Sequence, residues 1–234
     1  MSKKSQASEE EVQDHVADHY VEKRYKGLGL RYHSSIIKEM MEDIHGKILD
    51  AGCGTGLVSE LYPNRDILGV DISLGMLKHH KGHHRYASVS ELPFDDCSFD
   101  SVVCRSVLHH LHEPKKALGE IRRVLKPSGH FVCWETNKSW IAEIVRRLTQ
   151  HGDNFSNAHT SFSNLPLLIS QYFINSVVKY QGYLAYPLYG FPDILDFSGH
   201  IPSFFQPVMA LDSLISKVPI INKLGFAIMI KAVK

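Results

Sequence analysis

Ile48-Leu49-Asp50-Ala51-Gly52-Cys53-Gly54-Thr55-Gly56 is the stretch that decides how this chain folds. A short apolar run that ends in closely spaced glycines fits a buried strand entering a turn. Glycines carry no Cβ, so a ligand can lie against the backbone there. The helix expected from Leu57 to Leu61, stopped by Pro63, points its N-terminus at the same place, which favours negative charge. The glycines are spaced G-x-G-x-G, whereas dinucleotide dehydrogenases seat a pyrophosphate on G-x-G-x-x-G. Asp50 precedes the glycines. A carboxylate there would repel a pyrophosphate and suits a ligand bearing an ammonium or sulfonium group. Asp71 follows the first glycine by about 20 residues and ends the next apolar run, the place for an acid that hydrogen-bonds ribose hydroxyls.

Outward from this stretch, strands alternate with helices. Asp66 to Ile72 reads as a second strand, and Ser73 can cap the helix that follows to about Lys78. Arg85 to Val89 is a weak third strand and Phe99 to Cys104 a fourth. Pro114 opens a helix, at the first position where its missing N–H is harmless, and Lys126-Pro127-Ser128-Gly129 ends it. His130 to Glu135 is a fifth strand, Val177 to Leu184 a sixth and Phe226 to Val233 the last. The spacing implies βαβ units with right-handed crossovers. The expected fold is α/β: a Rossmann-like, mostly parallel seven-stranded sheet with helices on both faces. Residues 1–45 form an N-terminal helical cap, 46–136 the ligand-binding half and 137–234 a second half with an insertion before the last strand, all in one domain. In the cap the helical pattern runs from Glu11 to Ile44, with Gly27 and Gly29 breaking it into pieces. Trp140 to Leu148 and Leu165 to Tyr172 look helical.

With 234 residues, 44% of them hydrophobic, the chain can build one sizeable core, and a net charge of +1 with Lys and Arg spread along the chain argues against a nucleic-acid binder while leaving room for a local basic patch. The first residues lack the apolar stretch of a secretory signal, and no apolar run is long enough to span a bilayer, so a cytoplasmic location without membrane insertion is expected. Cys53, Cys97, Cys104 and Cys133 include no C-x-x-C pair and read as reduced thiols. The histidines of HHKGHH (79–84) have no carboxylates or cysteines beside them, so they read as a surface loop and no metal is expected.

Four features occur in order, each at a strand end: ILDAGCGTG, GVDIS, ELPFDDCSFDSVVC followed by LHHL, and VLKPSG before FVCWE. Over residues 47–135 this sequence resembles the class I S-adenosylmethionine-dependent methyltransferases, in particular the small-molecule type with a DAGCGTG loop. The resemblance implies S-adenosylmethionine as cofactor and S-adenosylhomocysteine as product. It implies that Gly52, Cys53, Gly54 and Gly56 pack against the methionine portion and that Asp50 orients the loop or meets the ligand amine. Asp71 would hold the ribose hydroxyls, Ile72 cover one adenine face, and Arg105 offer backbone contacts. Many relatives carry Asp where this chain has Ser88. Serine accepts a hydrogen bond more weakly, so adenine binding would use Ser88 or the backbone of Val89.

The cofactor brings an activated methyl group, so the protein has mainly to align donor and acceptor for in-line displacement. An oxygen acceptor needs a base. His109, His110 and His112 lie just past the fourth strand, at the carboxyl edge where ligands bind in such folds. His110 is marginally preferred over His109. Glu135, ending the fifth strand, is a second candidate and an acceptor contact. Tyr20, Tyr25, Arg31 and Tyr32 in the cap are further acceptor contacts. Tyr186, Tyr189, Phe191, Phe197, Phe204 and Phe205 in the insertion suit an apolar or aromatic small molecule, and equally a lid or a homodimer contact. A tRNA or protein acceptor and a non-catalytic binding module are the alternatives. The Asn- or Asp-Pro-Pro-aromatic tetrad of base-methylating DNA enzymes is absent at Arg105-Ser106-Val107-Leu108, and no nucleic-acid partner is expected.

Overall fold

The computed structural model of the protein describes residues 14, 17, 26–137, 139–140, 164–190, 204–219 and 221–234. Seven strands form one sheet in the order β3-β2-β1-β4-β5-β7-β6. They are β1 Ile48–Ala51, β2 Ile67–Asp71, β3 His84–Tyr86, β4 Phe99–Arg105, β5 Leu125–Thr136, β6 Ile174–Gln181 and β7 Ala227–Val233. All neighbours are parallel except β7, which runs antiparallel to both β5 and β6. β1 lies between β2 and β4, so the glycine turn leaves the middle of the sheet at its carboxyl edge.

Successive side chains of a strand point to opposite faces, and both faces here are apolar. Leu49, Val102, Phe131 and Cys133 pack on one face against α4 (Pro114–Val124) and α5 (Leu165–Ile169). Ile48, Val103, Val132 and Trp134 pack on the other against α1 (Gly27–Met40) and α2 (Leu57–Leu61). This explains why β1 and β4 read as continuous apolar runs rather than as alternating strands. The face of α1 that carries Leu28, Tyr32, Ile36, Ile37 and Met40 is buried. Gly29 lies inside this helix on its buried side, where the sequence reading placed a break.

Two strands differ from expectation. β3 ends at Tyr86, because residue 87 turns into the chain that carries Ser88 and Val89. β5 starts at Leu125 directly after α4. Its register with β4 steps from Phe99↔Leu125 to Ser101↔His130, so Lys126–Gly129 bulges outward instead of separating helix from strand. Ser128 takes φ 62° within that bulge.

The insertion between β6 and β7 is anchored by one buried carboxylate. Asp212 belongs to α6 (Phe205–Ile215) and accepts from Gly182 N–H at 2.8 Å and Tyr183 N–H at 3.1 Å on one oxygen. Its other oxygen accepts from Leu184 N–H at 2.6 Å and Ala185 N–H at 3.1 Å. Four backbone donors at the start of the helical turn Tyr186–Gly190 are thus capped from a distant helix. The expected helix over Trp140 to Leu148 falls, beyond residue 140, outside the described residues, as do Tyr20, Tyr25, Phe191 and Phe197.

Candidate active site

The glycine turn is held from three sides. Gly52 N–H and Cys53 N–H both donate to the Val70 carbonyl, at 2.8 and 3.0 Å. Gly54 N–H donates to Asp71 Oδ2 at 2.8 Å, and Ser73 N–H donates to Asp71 Oδ1 at 2.9 Å. One carboxylate therefore bridges the glycine turn and the start of α3 (Leu74–Leu77), and each oxygen keeps a lone pair for a further donor. The Ser73 side chain caps α3 by accepting from Met76 N–H at 3.0 Å.

Gly52, Gly54 and Gly56 have φ of 77°, 51° and 84°, the region open to glycine. Their surroundings differ. A Cβ on Gly52 would lie 2.1 Å from Val107 Cγ2, so this glycine lets the turn after β4 close on the loop. A Cβ on Gly56 would lie 2.6 Å from the His80 ring. Among the described residues, a Cβ on Gly54 would meet only Met76 Sδ, at 4.0 Å, so these residues leave open space over it.

Asp50 is fully buried at the end of β1 beneath the loop, and its Oδ2 has no hydrogen-bond partner among the described residues. Burial raises its pKa from 3.8 to about 7, against the pull of the Arg105 charge. Burial also raises the pKa of Asp71, while its bonds from Ser73 and Gly54 act in the opposite direction.

The other sequence-read residues are placed as follows. The Cys53 thiol is buried, with Sγ against Gly69, so only its backbone can face a ligand. Ile72 is half-buried just past β2, and Arg105 half-buried at the end of β4. Ser88 Oγ already accepts from Ser90 N–H at 3.2 Å. The Val89 side chain belongs to the apolar core, because the chain turns inward after the short β3, so a ligand contact there would be made by its backbone, as the sequence reading has it.

Glu135 differs most from expectation. It is 0% exposed. Its Oε1 accepts from Val107 N–H and Leu108 N–H, both at 2.9 Å, and its Oε2 lies 2.5 Å from His109 Nδ1. With both oxygens engaged it positions other groups and is not an acceptor contact. A carboxylate only accepts, so this contact is made through a proton on His109 Nδ1. The His110 ring lies tilted against His109 with ring centroids 4.1 Å apart, and His112 is exposed. The carboxylate contact falls on His109, the neighbour of the marginally preferred His110. Arg31 is exposed, its guanidinium 4.6 Å from the centre of the Phe205 ring. Tyr32 is buried beside Tyr186, and burial raises its pKa well above the ordinary value. It serves the packing between cap and insertion more than an open acceptor wall.

Two residues were not read from the sequence. Asp14, in the cap, accepts from Ser73 Oγ at 2.5 Å and from Gly75 N–H at 2.7 Å, which brings residue 14 beside Asp71. Its position among other acidic residues carries no local signal. His80, expected on a surface loop, is buried under the glycine turn and against Gly69, where its Nδ1 accepts from Gly82 N–H at 3.0 Å. Burial lowers its pKa, which keeps the ring neutral. The side-chain-free Gly56 and Gly69 make the room for it. No group of three or more metal-ligating side chains occurs among the described residues.

A doubly wound sheet with a glycine turn at its central carboxyl edge and an acid ending the neighbouring strand defines a nucleotide-cofactor protein of the α/β class. Residues 49–133 match the methyltransferase domain family. They form a class I, S-adenosylmethionine-dependent methyltransferase domain. A demethylmenaquinone methyltransferase of Renibacterium salmoninarum is 42% identical over 98 residues, 38% of this chain and 40% of the relative. The chain thus aligns with about two fifths of that relative's length. A solved S-adenosylmethionine-dependent methyltransferase of Thermotoga maritima superposes over 97% of this chain and 99% of its own, with a TM-score of 0.67 and 16% identity. A phosphoethanolamine N-methyltransferase of Haemonchus contortus, solved with S-adenosylhomocysteine, covers 94% of this chain and 58% of its own at a TM-score of 0.63 and 17% identity. At these identities the solved structures show the fold.

Proposed function

We infer that the protein transfers a methyl group from S-adenosylmethionine to a small apolar or aromatic acceptor. The observation that carries this reading is the pairing of an open, left-handed Gly54, tethered to Asp71, with a buried Asp50 oxygen that has no partner among the described residues. An amino acid's ammonium group would supply what Asp50 Oδ2 lacks. Ribose hydroxyls would use the remaining lone pairs of Asp71. When bound, the cofactor supplies the activated sulfonium methyl. His109, held by Glu135, would take the proton from a hydroxyl acceptor, and the insertion would exclude water and orient the acceptor. The name of the demethylmenaquinone relative supports a small molecule over tRNA or protein. The apolar and aromatic character of the insertion, as in Tyr186, Tyr189 and Phe205, is in keeping with an apolar acceptor.

Calorimetric titration of S-adenosylmethionine and S-adenosylhomocysteine tests this. Wild type should bind both near the micromolar range, and Asp71→Ala should weaken binding by about 1–3 kcal/mol through loss of the ribose hydrogen bonds and of the Gly54 tether. No heat and no thermal shift with either ligand would make the domain a non-catalytic module.

Asp50 gives a separate, pH-dependent expectation. In the unfolded chain it ionises near its ordinary pKa of 3.8, and in the folded protein only near 7. A raised carboxylate pKa means that the folded state holds the proton more tightly. Its contribution to stability is therefore present at low pH and declines as pH rises from about 4 to about 7. The urea midpoint of ligand-free wild type should fall across that window relative to Asp50→Asn, which lacks the titration. Parallel curves for the two proteins would mean that Asp50 is ionised throughout.

A further inference from the structure

The insertion that closes the acceptor edge turns an apolar flank outward. β6 is antiparallel to β7, and β7 to β5, so β6 ends at the same edge as β1, β4 and β5. The segment between Gln181 and Ala227 therefore leaves and re-enters the sheet beside the glycine turn. Within it, α6 buries Phe205 and Asp212, and the Asp212 cap fixes the helix to the end of β6. Its opposite flank carries Phe204, Leu211 and Leu214, spaced seven and three residues apart, all exposed, with Leu214 60% exposed. Val218 and Ile221 continue the exposed apolar surface in the turns after the helix.

Trp140 is 63% exposed. The preceding Ser139 donates to the Leu224 carbonyl at 3.0 Å, and Asn137 Nδ2 donates to the carbonyls of Lys223 and Gly225 at 3.0 and 2.7 Å. The indole is thus tethered next to the Asn222–Leu224 turn and its exposed Lys223. Lys217 is exposed as well. The acid among the described residues of 204–224 is Asp212, and it is buried, so this surface offers cations and no exposed carboxylate.

Exposed aliphatic side chains, an exposed tryptophan and lysines without an exposed carboxylate among residues 204–219 and 221–224 are the composition of a surface that rests in the headgroup layer of an anionic membrane. A two-fold contact with a second copy would instead bring the same lysines together, and residues 204–219 and 221–224 hold no exposed carboxylate to neutralise them. We propose that the outer flank of α6, with Trp140, is a membrane-docking surface that sets the acceptor edge of the domain against an anionic bilayer. No helix among the described residues is long and apolar enough to cross a membrane, so the contact is peripheral.

The two tryptophans provide the test, because Trp134 is fully buried and Trp140 exposed. Full-length protein is floated with vesicles of phosphatidylcholine, alone or mixed with phosphatidylglycerol, while tryptophan emission is recorded. It should float with the mixed vesicles, with a blue shift that Trp140→Phe abolishes. Partitioning should drop roughly tenfold or more in Leu211→Glu/Leu214→Glu, and should weaken in Lys217→Glu and at high salt. Both leucines are exposed, so an unchanged thermal midpoint shows that the double variant folds. Failure to float with either vesicle overturns the proposal, as does undiminished binding by the folded double variant. Self-association on sedimentation without vesicle binding assigns the flank to a second copy instead. None of these readouts uses the cofactor or an acceptor, so they stand or fall separately from methyl transfer.

Discussion

Gly54→Ala is expected to fold and to lose its cofactor. Among the described residues the new methyl group would meet only Met76 Sδ at 4.0 Å, so the expected change in stability is that of left-handed strain, about 1–2 kcal/mol. The same methyl group fills the open space over the turn, and S-adenosylhomocysteine binding should weaken on the order of 100-fold, about 2.7 kcal/mol. Gly52→Ala reverses the order of the effects. Its Cβ would overlap Val107 at 2.1 Å, so strain and overpacking together should destabilise the fold by about 3 kcal/mol or more before any ligand is added. Chemical denaturation and calorimetry on both variants separate the two. Equal affinities for wild type and Gly54→Ala would refute the placement of a ligand on this turn.

Glu135→Gln should preserve the fold and invert the chemistry of His109. The glutamine carbonyl can still accept from Val107 N–H and Leu108 N–H, while its amide N–H₂ would face His109 Nδ1. An amide donor there forces the lone pair onto Nδ1 and the proton onto Nε2. Nitrogen chemical shifts of the His109 ring read this tautomer without any acceptor. With a hydroxyl acceptor, kcat should fall by about 10²–10⁴ while cofactor affinity is unchanged. Glu135→Ala removes the acceptor for three donors at once and should cost about 3–5 kcal/mol of stability. A Gln variant that retains the wild-type ring shifts would show that the carboxylate does not set the tautomer.

The order of strands and the central glycine turn were legible because a buried parallel sheet writes itself as apolar runs, and a left-handed turn writes itself as glycine. Asp50 stood out as a carboxylate within the apolar run just before the glycines, and Asp71 because one αβ step carries the chain from the glycines to the end of the neighbouring strand. What sequence reading missed depends on contacts far apart in the chain. Glu135 looked like a strand-end base, yet its role is set by two backbone N–H groups 28 and 27 residues away. His80 looked like a surface histidine until Gly56 and Gly69 left it a cavity. Asp212 sits in an apolar helix with no local motif, and its four donors come from the end of β6. Val89 could be placed only once β3 was seen to stop at Tyr86.

The reversed direction of β7 has an evolutionary consequence. Because β6 ends and β7 begins at one edge, the segment joining them is a closed excursion whose length does not alter any strand register. Doubling such an excursion adds only about 0.6 kcal/mol of closure entropy. The half of the domain that carries Asp50, Gly54 and Asp71 is untouched by such changes, so the acceptor side can be rebuilt, grafted or lengthened as a cassette. A natural lineage, or a protein engineer, can change what is methylated while inheriting the cofactor site intact.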